Sequence, residues 1–353
     1  MPRPITRHGH KTNMLITTET ELEERLSRPT EADTAVMAAL DGDVIILGVG
    51  GKMGPSLARL ARRACDQGSV KKRIIAVARF SNKNLQAGLE TDGIETIAAD
   101  LLEPGVLGKL PDVPNVIFMA ARKFGTSDSQ HFTWAMNTYL PGLVAERYRK
   151  SRIAAFSTGN VYPLRAATQG GADECCPLDP VGEYAQSAVG RERMFEYASH
   201  RWSTPVTILR LNYAIDLRYG VLLDIGTAVF ERRAVDLRMP LVNVIWQGDA
   251  NSMVLRSLVH CQSPPLVLNI TGPETLGVRY LAEEFGRRFR IEPIFETEEL
   301  PSALLNNAAK SHQLLGYPTV TPAEMIDWTA HWISLGNARV NKPTHFQTRN
   351  GKF

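Results

Sequence analysis

The run Val44-Ile45-Ile46-Leu47-Gly48-Val49-Gly50-Gly51-Lys52-Met53-Gly54 constrains this chain more than any other stretch. An apolar, β-branched segment with no polar alternation describes a strand buried on both faces of a parallel sheet. The following Leu57-Ala58-Arg59-Leu60-Ala61 reads as an amphipathic helix. Between them lies a glycine-rich turn spaced Gly48-x-x-Gly51-x-x-Gly54, with Gly50 as an extra; Gly48 and Gly50 also fit a looser Gly-x-Gly pattern. Glycines at a strand-to-helix turn let the backbone approach a phosphate and aim free N–H groups at it. Such loops also serve as plain tight turns. The strand before, the helix after and a second strand at the right distance favour a bound dinucleotide, touched by Gly48, Gly51, Lys52, Met53 and Gly54.

The second strand, Ile74-Ala78, ends in Ala78-Arg79, with Ser81 and Lys83 close behind and no acid at the tip. In dinucleotide folds an acid here accepts the ribose hydroxyls of NAD, whereas an arginine suits the 2′-phosphate of NADP. Arg79 therefore favours NADP, with NAD as the alternative. Further strands are expected at Glu95-Ala98, closed by Asp100-Leu101, at Asn115-Met119, running into Ala120-Ala121, and at Ile153-Phe156. A helix is expected from Trp134 to Arg149, containing Asn137. Strands alternating with helices imply an α/β fold, a Rossmann-type doubly wound parallel sheet.

Composition narrows the partners. The 353 residues are 44% hydrophobic and 22% charged, and a net charge of +3 gives no case for nucleic acid or a membrane surface. Cys65, Cys175, Cys176 and Cys261 have no metal-type spacing, so a reduced, cytoplasmic protein without a metal is expected. The basic N-terminus lacks a following apolar core, and no run reaches transmembrane length.

The fifth strand runs into Ser157-Thr158-Gly159-Asn160-Val161-Tyr162, and Glu183-Tyr184-Ala185 heads a later helix. A hydroxyl at a strand's carboxyl end and a tyrosine on the next helix suit hydride transfer: the phenol moves a proton to or from the carbinol oxygen, which the second hydroxyl holds. These motifs, with the glycine loop, Asp100-Leu101, Ala120-Ala121 and Asn137, resemble the extended short-chain dehydrogenase/reductases of the NAD-dependent epimerase/dehydratase family over roughly residues 43–335. Weaker matches follow at Arg210-Leu211-Asn212, Gly248-Asp249-Ala250 and Leu268-Asn269-Ile270-Thr271-Gly272. The resemblance implies Tyr184 as acid/base and as a cofactor contact, Thr158 as the substrate-orienting hydroxyl, and Asn137 steadying the active-site helix. It also implies cofactor contacts at Asp100, Leu101, Ala120 and Ala121. The substrate implied is a sugar or sugar-derived small molecule, and the assembly a homodimer.

One position departs from the family's Tyr-x-x-x-Lys: four residues after Tyr184 stands Ala188. That lysine binds the nicotinamide ribose and lowers the tyrosine pKa. Lys123 is the first candidate to stand in for it, Arg122 the second and Arg191 the third, since one turn beyond Ala188 it could point away. The departure also keeps open a non-catalytic dinucleotide sensor or scaffold, beside an oxidoreductase and an epimerase or dehydratase with retained NAD.

Residues 1–40 are expected to form a helical extension without a chemical role, 41–212 the dinucleotide domain, and 213–335 a smaller substrate region with 241–262 returning to the main domain. Residues 336–353 form a tail that crosses the surface or reaches a neighbouring subunit. Ser157, Asn160, Asn212 and Arg218 are the expected substrate contacts.

Overall fold

The computed structural model describes residues 15–123, 125, 126, 128–340 and 343–352; residues 1–14 of the expected N-terminal extension lie outside them. Two helices open the described chain, α1 (Glu19–Leu26) and α2 (Glu31–Ala39). Each starts at a threonine, Thr18 or Thr30, in a reciprocal capping box with the acid three residues on. Then follow β1 (Val44–Leu47), α3 (Gly54–Gln67), β2 (Ile74–Ala78), α4 (Lys83–Thr91), β3 (Glu95–Ala98), α5 (Val106–Lys109) and β4 (Asn115–Phe118). Every residue of β1, β2 and β4 is buried, as their unbroken apolar runs require.

Beyond β4 the expected single helix is three pieces: α6 (Gln130–Trp134), a π-helical turn Ala135–Tyr139, and α7 (Leu140–Arg147). The wider turn contains Asn137, whose side chain is engaged in bonds to other elements. Next come β5 (Arg152–Thr158), α8 (Gly182–Trp202) and β6 (Val206–Leu211).

The C-terminal part holds the strand β7 (Ala214–Ile215), α9 (Val221–Phe230), β8 (Ala234–Asp236), β9 (Leu241–Val242), β10 (Ile245–Trp246) and α10 (Gln247–Ser257). It continues with β11 (Leu266–Ile270), β12 (Leu276–Gly277), α11 (Val278–Phe289), β13 (Ile294–Glu296), α12 (Ala309–Leu315) and α13 (Pro322–Ser334).

Seven strands form one parallel sheet in the order β11-β6-β5-β4-β1-β2-β3. The chain winds outward from β1 to β3, then returns beside β1 as β4 and winds the other way. That reversal opens a crevice at the carboxyl ends of β1 and β4, where open α/β sheets bind ligands. The return of the C-terminal part extends beyond residues 241–262, because Leu266–Ile270 is the seventh strand of the sheet. The helices α9, α11 and α13 share a separate core with Phe285, Trp328 and Trp332, all sealed from solvent. Among the described residues no helix is long and apolar enough to cross a membrane.

Candidate functional site

The crevice is one cavity of about 1130 Å³. Its floor is the glycine loop. Gly48 has φ +95°, and a Cβ there would lie 2.5 Å from the Ala120 nitrogen. A Cβ on Gly54 would lie 2.1 Å from the Val49 carbonyl oxygen, so this glycine lets α3 rest on the loop and does not itself reach the cavity. Gly51 is different. It has an ordinary φ, its Cβ would meet only the Gly48 oxygen at 3.7 Å, and it faces the cavity beside Lys52 and Met53. The first N–H groups of α3 have no side-chain cap, and Pro55 in the first turn needs none. An open glycine under an uncapped helix start fits a phosphate-bearing ligand.

At one end of the cavity Arg79 projects, exposed, from the tip of β2, and Asp100 and Leu101 line the wall beyond β3. Asp100 fixes its own turn by accepting the Leu102 N–H at 3.1 Å. Ala120 and Ala121, after β4, lie between this end and the next.

At the other end β5 delivers Ser157, Thr158 and Asn160, and the first turn of α8 delivers Tyr184. The Thr158 hydroxyl caps the short turn that follows, accepting the Asn160 N–H at 3.2 Å, while it lines the cavity. Ser157 lines the cavity as well, and its hydroxyl donates to Glu192 on α8, so it ties strand to helix and meets a bound molecule as an acceptor. Glu192 is clasped by Arg210 of β6, with Nη2 2.7 Å from Oε2; Arg210 also donates to the Tyr162 hydroxyl, which donates to Asn269. Burial pushes the Tyr162 phenol up to about 12, so it stays a donor. Asn137 accepts the Arg122 N–H at 2.8 Å and donates to the Arg122 carbonyl and the Ser187 hydroxyl, joining the loop after β4 to α8.

The cations sort themselves. Arg122 does not line the cavity; its guanidinium bonds the Gly125 carbonyl and stacks over Phe132, so the second candidate for the missing lysine faces elsewhere. Lys123 lines the cavity, its amine lowered to about 8 by burial with Asp224 opposing. Lys52 is lowered to about 7, chiefly by burial, with Asp216 opposing; its nitrogen lies 3.1 Å above the Tyr219 ring. Arg191, the third candidate, points inward. Arg218 reaches the wall but is committed to Asp216 and Glu23, which limits it as a substrate contact. Asn212 also lines the cavity, and its buried Nδ2 has no protein partner, which leaves it a donor for a bound molecule.

Both chain ends contribute walls that local sequence patterns do not announce. Glu19 and Glu23 of α1 line the cavity, and Glu23 binds Arg59 of α3 at 2.8 Å and Arg218 at 2.7 Å. The capping box marks where α1 begins, and nothing in it marks where the helix docks. The tail folds back over its own chain: the Thr344 N–H and hydroxyl donate to Asp224, whose carboxyl is held above the usual range by burial.

Residues 44–214 match the profile of the NAD dependent epimerase/dehydratase family. A comparison with curated protein sequences gives no match. Among solved structures the fold is similar to MoeE5 in complex with UDP-glucose and NAD (TM-score 0.68, 16% identity, covering 84% of this chain and 99% of that one). It is similar to a UDP-glucuronic acid 4-epimerase from Bacillus cereus in complex with NAD (0.68, 16%, 83% and 98%). A dTDP-glucose 4,6-dehydratase from Bacillus anthracis in complex with NAD is likewise similar (0.69, 17%, 83% and 96%). At these identities the likeness is one of fold.

Proposed function

Through residues 44–214 the chain belongs to the NAD dependent epimerase/dehydratase family, and from that premise we propose that it is a nicotinamide-dinucleotide enzyme acting on a hydroxyl or keto carbon of a sugar or sugar-derived substrate. The observation that carries the reading is that Tyr184 and Thr158 line the same cavity as Gly48 and Gly51. Open Gly51, the uncapped start of α3 and the unpartnered Asn212 Nδ2 fit a phosphate-bearing dinucleotide and a hydroxyl-rich substrate. A bound nicotinamide supplies the acceptor or donor of hydride. The protein's part is to orient and to move a proton. Thr158, fixed by its own cap, holds the reacting oxygen, and Tyr184 takes or gives its proton. Gly48, Gly51, Lys52 and Met53 line the dinucleotide's side of the cavity, and Asp100, Leu101, Ala120 and Ala121 continue that wall.

NADP is our first choice because Arg79 stands exposed at the tip of β2, suited to a 2′-phosphate. NAD, bound in the similar structures, goes with the alternative of an epimerase or dehydratase acting on a nucleotide-linked sugar. Ala188 supports a second class of reading, a sensor that binds the dinucleotide without turning it over. Titration calorimetry with NADP and NAD, followed by turnover with a panel of sugars and sugar nucleotides, separates these readings. Exchangeable NADP whose preference disappears in Arg79→Ala supports the oxidoreductase. Tightly retained NAD moves the epimerase forward, and binding without turnover favours the sensor. Binding of neither dinucleotide defeats the whole proposal.

Exposed Trp134, Tyr139 and Tyr197 on the packed α6, π-turn and α8 elements support a homodimer. Four free cysteines, with Cys65 buried, suit the reducing cytoplasm.

A further inference from the structure

Two arginines lie almost sealed beneath the reacting end, and they are used differently. Arg210, 4% exposed, is saturated by Glu192 and Tyr162. Arg191, 2% exposed, spends one nitrogen, Nη1, on the Phe156 carbonyl at 2.9 Å, and its Nε and Nη2 are buried with no hydrogen-bond partner. A guanidinium carries five N–H donors, and a buried charge with most of them idle is costly unless a ligand completes it. Arg191 lines the cavity, so those donors have somewhere to point.

The helix explains the arrangement. Tyr184, Ala188 and Arg191 stand at i, i+4 and i+7 of α8 and share one stripe. Ala188 is fully buried against Val161, Tyr162 and Ala172, and the longer arginine side chain one turn further on reaches the cavity instead. Its Nη1 anchor is the residue immediately before Ser157-Thr158, so the guanidinium is fixed relative to the substrate-orienting hydroxyl. The ionisable groups near enough to favour its charge are Tyr184 and Glu192, and Glu192 is already neutralised by Arg210.

We propose that Arg191 replaces the lysine absent at position 188: a positioning residue whose open Nε–H and Nη2–H stabilise the Tyr184 phenolate and hold a hydroxyl of the bound dinucleotide. The inference rests on the dinucleotide reading above for its second half only. The other ionisable groups facing this end are Tyr219, Asp224, Lys52 and Lys123. Lys123 is the rival, and the test treats it in parallel.

Alkaline absorbance titrations of Tyr184→Phe against its parent isolate the Tyr184 transition without cofactor or substrate. Run in the wild-type, Arg191→Met, Arg191→Lys and Lys123→Met backgrounds, they expect the transition to move up by about one pH unit or more in Arg191→Met. Arg191→Lys should retain most of the wild-type position, and Ala188→Lys added to Arg191→Met should restore it. NADP binding by calorimetry should weaken about tenfold or more in Arg191→Met and recover in the same double variant. An unmoved transition in Arg191→Met, or the shift appearing in Lys123→Met instead, overturns the proposal. Wild-type protein that binds no dinucleotide but shows the Arg191 shift upholds the phenolate half while defeating the cofactor reading.

Discussion

The amine of Lys52 sits 3.1 Å above the ring of Tyr219 and thereby joins the glycine loop to the segment leading into α9. The contact places the amine of the glycine loop against an aromatic ring from the opposite, C-terminal wall of the cavity. Asp216 and Asp224 favour its charge, while burial, Lys123 and Arg218 oppose it.

That competition predicts a pH signature. Lys52 falls from 10.5 to about 7 on folding, so below about pH 7 both states carry the proton and the burial cost is full. Between about pH 7 and 10.5 the unfolded chain holds a proton the folded one has lost, and stability rises with pH. Lys52→Met should therefore exceed wild type in urea midpoint most clearly near about pH 6, with the gap shrinking toward about pH 10. A gap independent of pH would contradict this placement of the amine.

Glu192 and Arg210 give a prediction in stability. The pair is 1% and 4% exposed, so removing one partner leaves a buried charge without its counterpart. Glu192→Gln and Arg210→Met should each lose about 3–5 kcal/mol, read from denaturant midpoints. Glu192→Gln combined with Arg210→Met should lose clearly less than the two single losses added together. Simple additivity would show that the two side chains do not act as a pair.

How much of this was legible in the sequence depended on distance along the chain. The strand, glycine turn and helix from Val44 to Gln67 are local, and their apolar run and glycines appear in the structure as expected. The elements after β4 were harder, because Asn137 sits in a π-turn and bonds Arg122 and Ser187, neither of which any local propensity names. That Ser157 also ties β5 to α8 is not written locally, because Glu192 lies 35 residues away and only packing brings them together. The i, i+7 spacing puts Arg191 on the Tyr184 stripe of α8, but that the stripe faces the end of β5 depends on packing. Glu23 and Thr344 belong to the cavity through docking of the two chain ends.

Glu23 holds Arg59 of α3 and Arg218 of the C-terminal part at once, so α1 ties the two sides of the cavity together. Both arginines keep second partners, Asp92 and Asp216, and the pairs are partly exposed. Glu23→Gln should therefore cost no more than about 1 kcal/mol of stability. The same change should speed dinucleotide release several-fold in stopped-flow measurements, because the α1 wall is less firmly held. Unchanged release would mean that α1 does not cover the bound molecule.

The glycines themselves separate folding from binding. A Cβ on Gly54 would collide with the Val49 carbonyl 2.1 Å away, and backbone cannot yield as a flexible side chain can. Gly54→Ala should therefore lose about 2 kcal/mol or more of stability, seen as a lower thermal midpoint. At Gly51 the added methyl meets nothing closer than 3.7 Å, and φ lies outside the left-handed range. Gly51→Ala should keep the wild-type midpoint yet bind NADP and NAD about tenfold more weakly or worse, since the methyl enters the space a phosphate would use. If Gly51→Ala binds as wild type does, the loop is a turn and not a cradle; if it unfolds instead, the open space above Gly51 is filled by the protein itself.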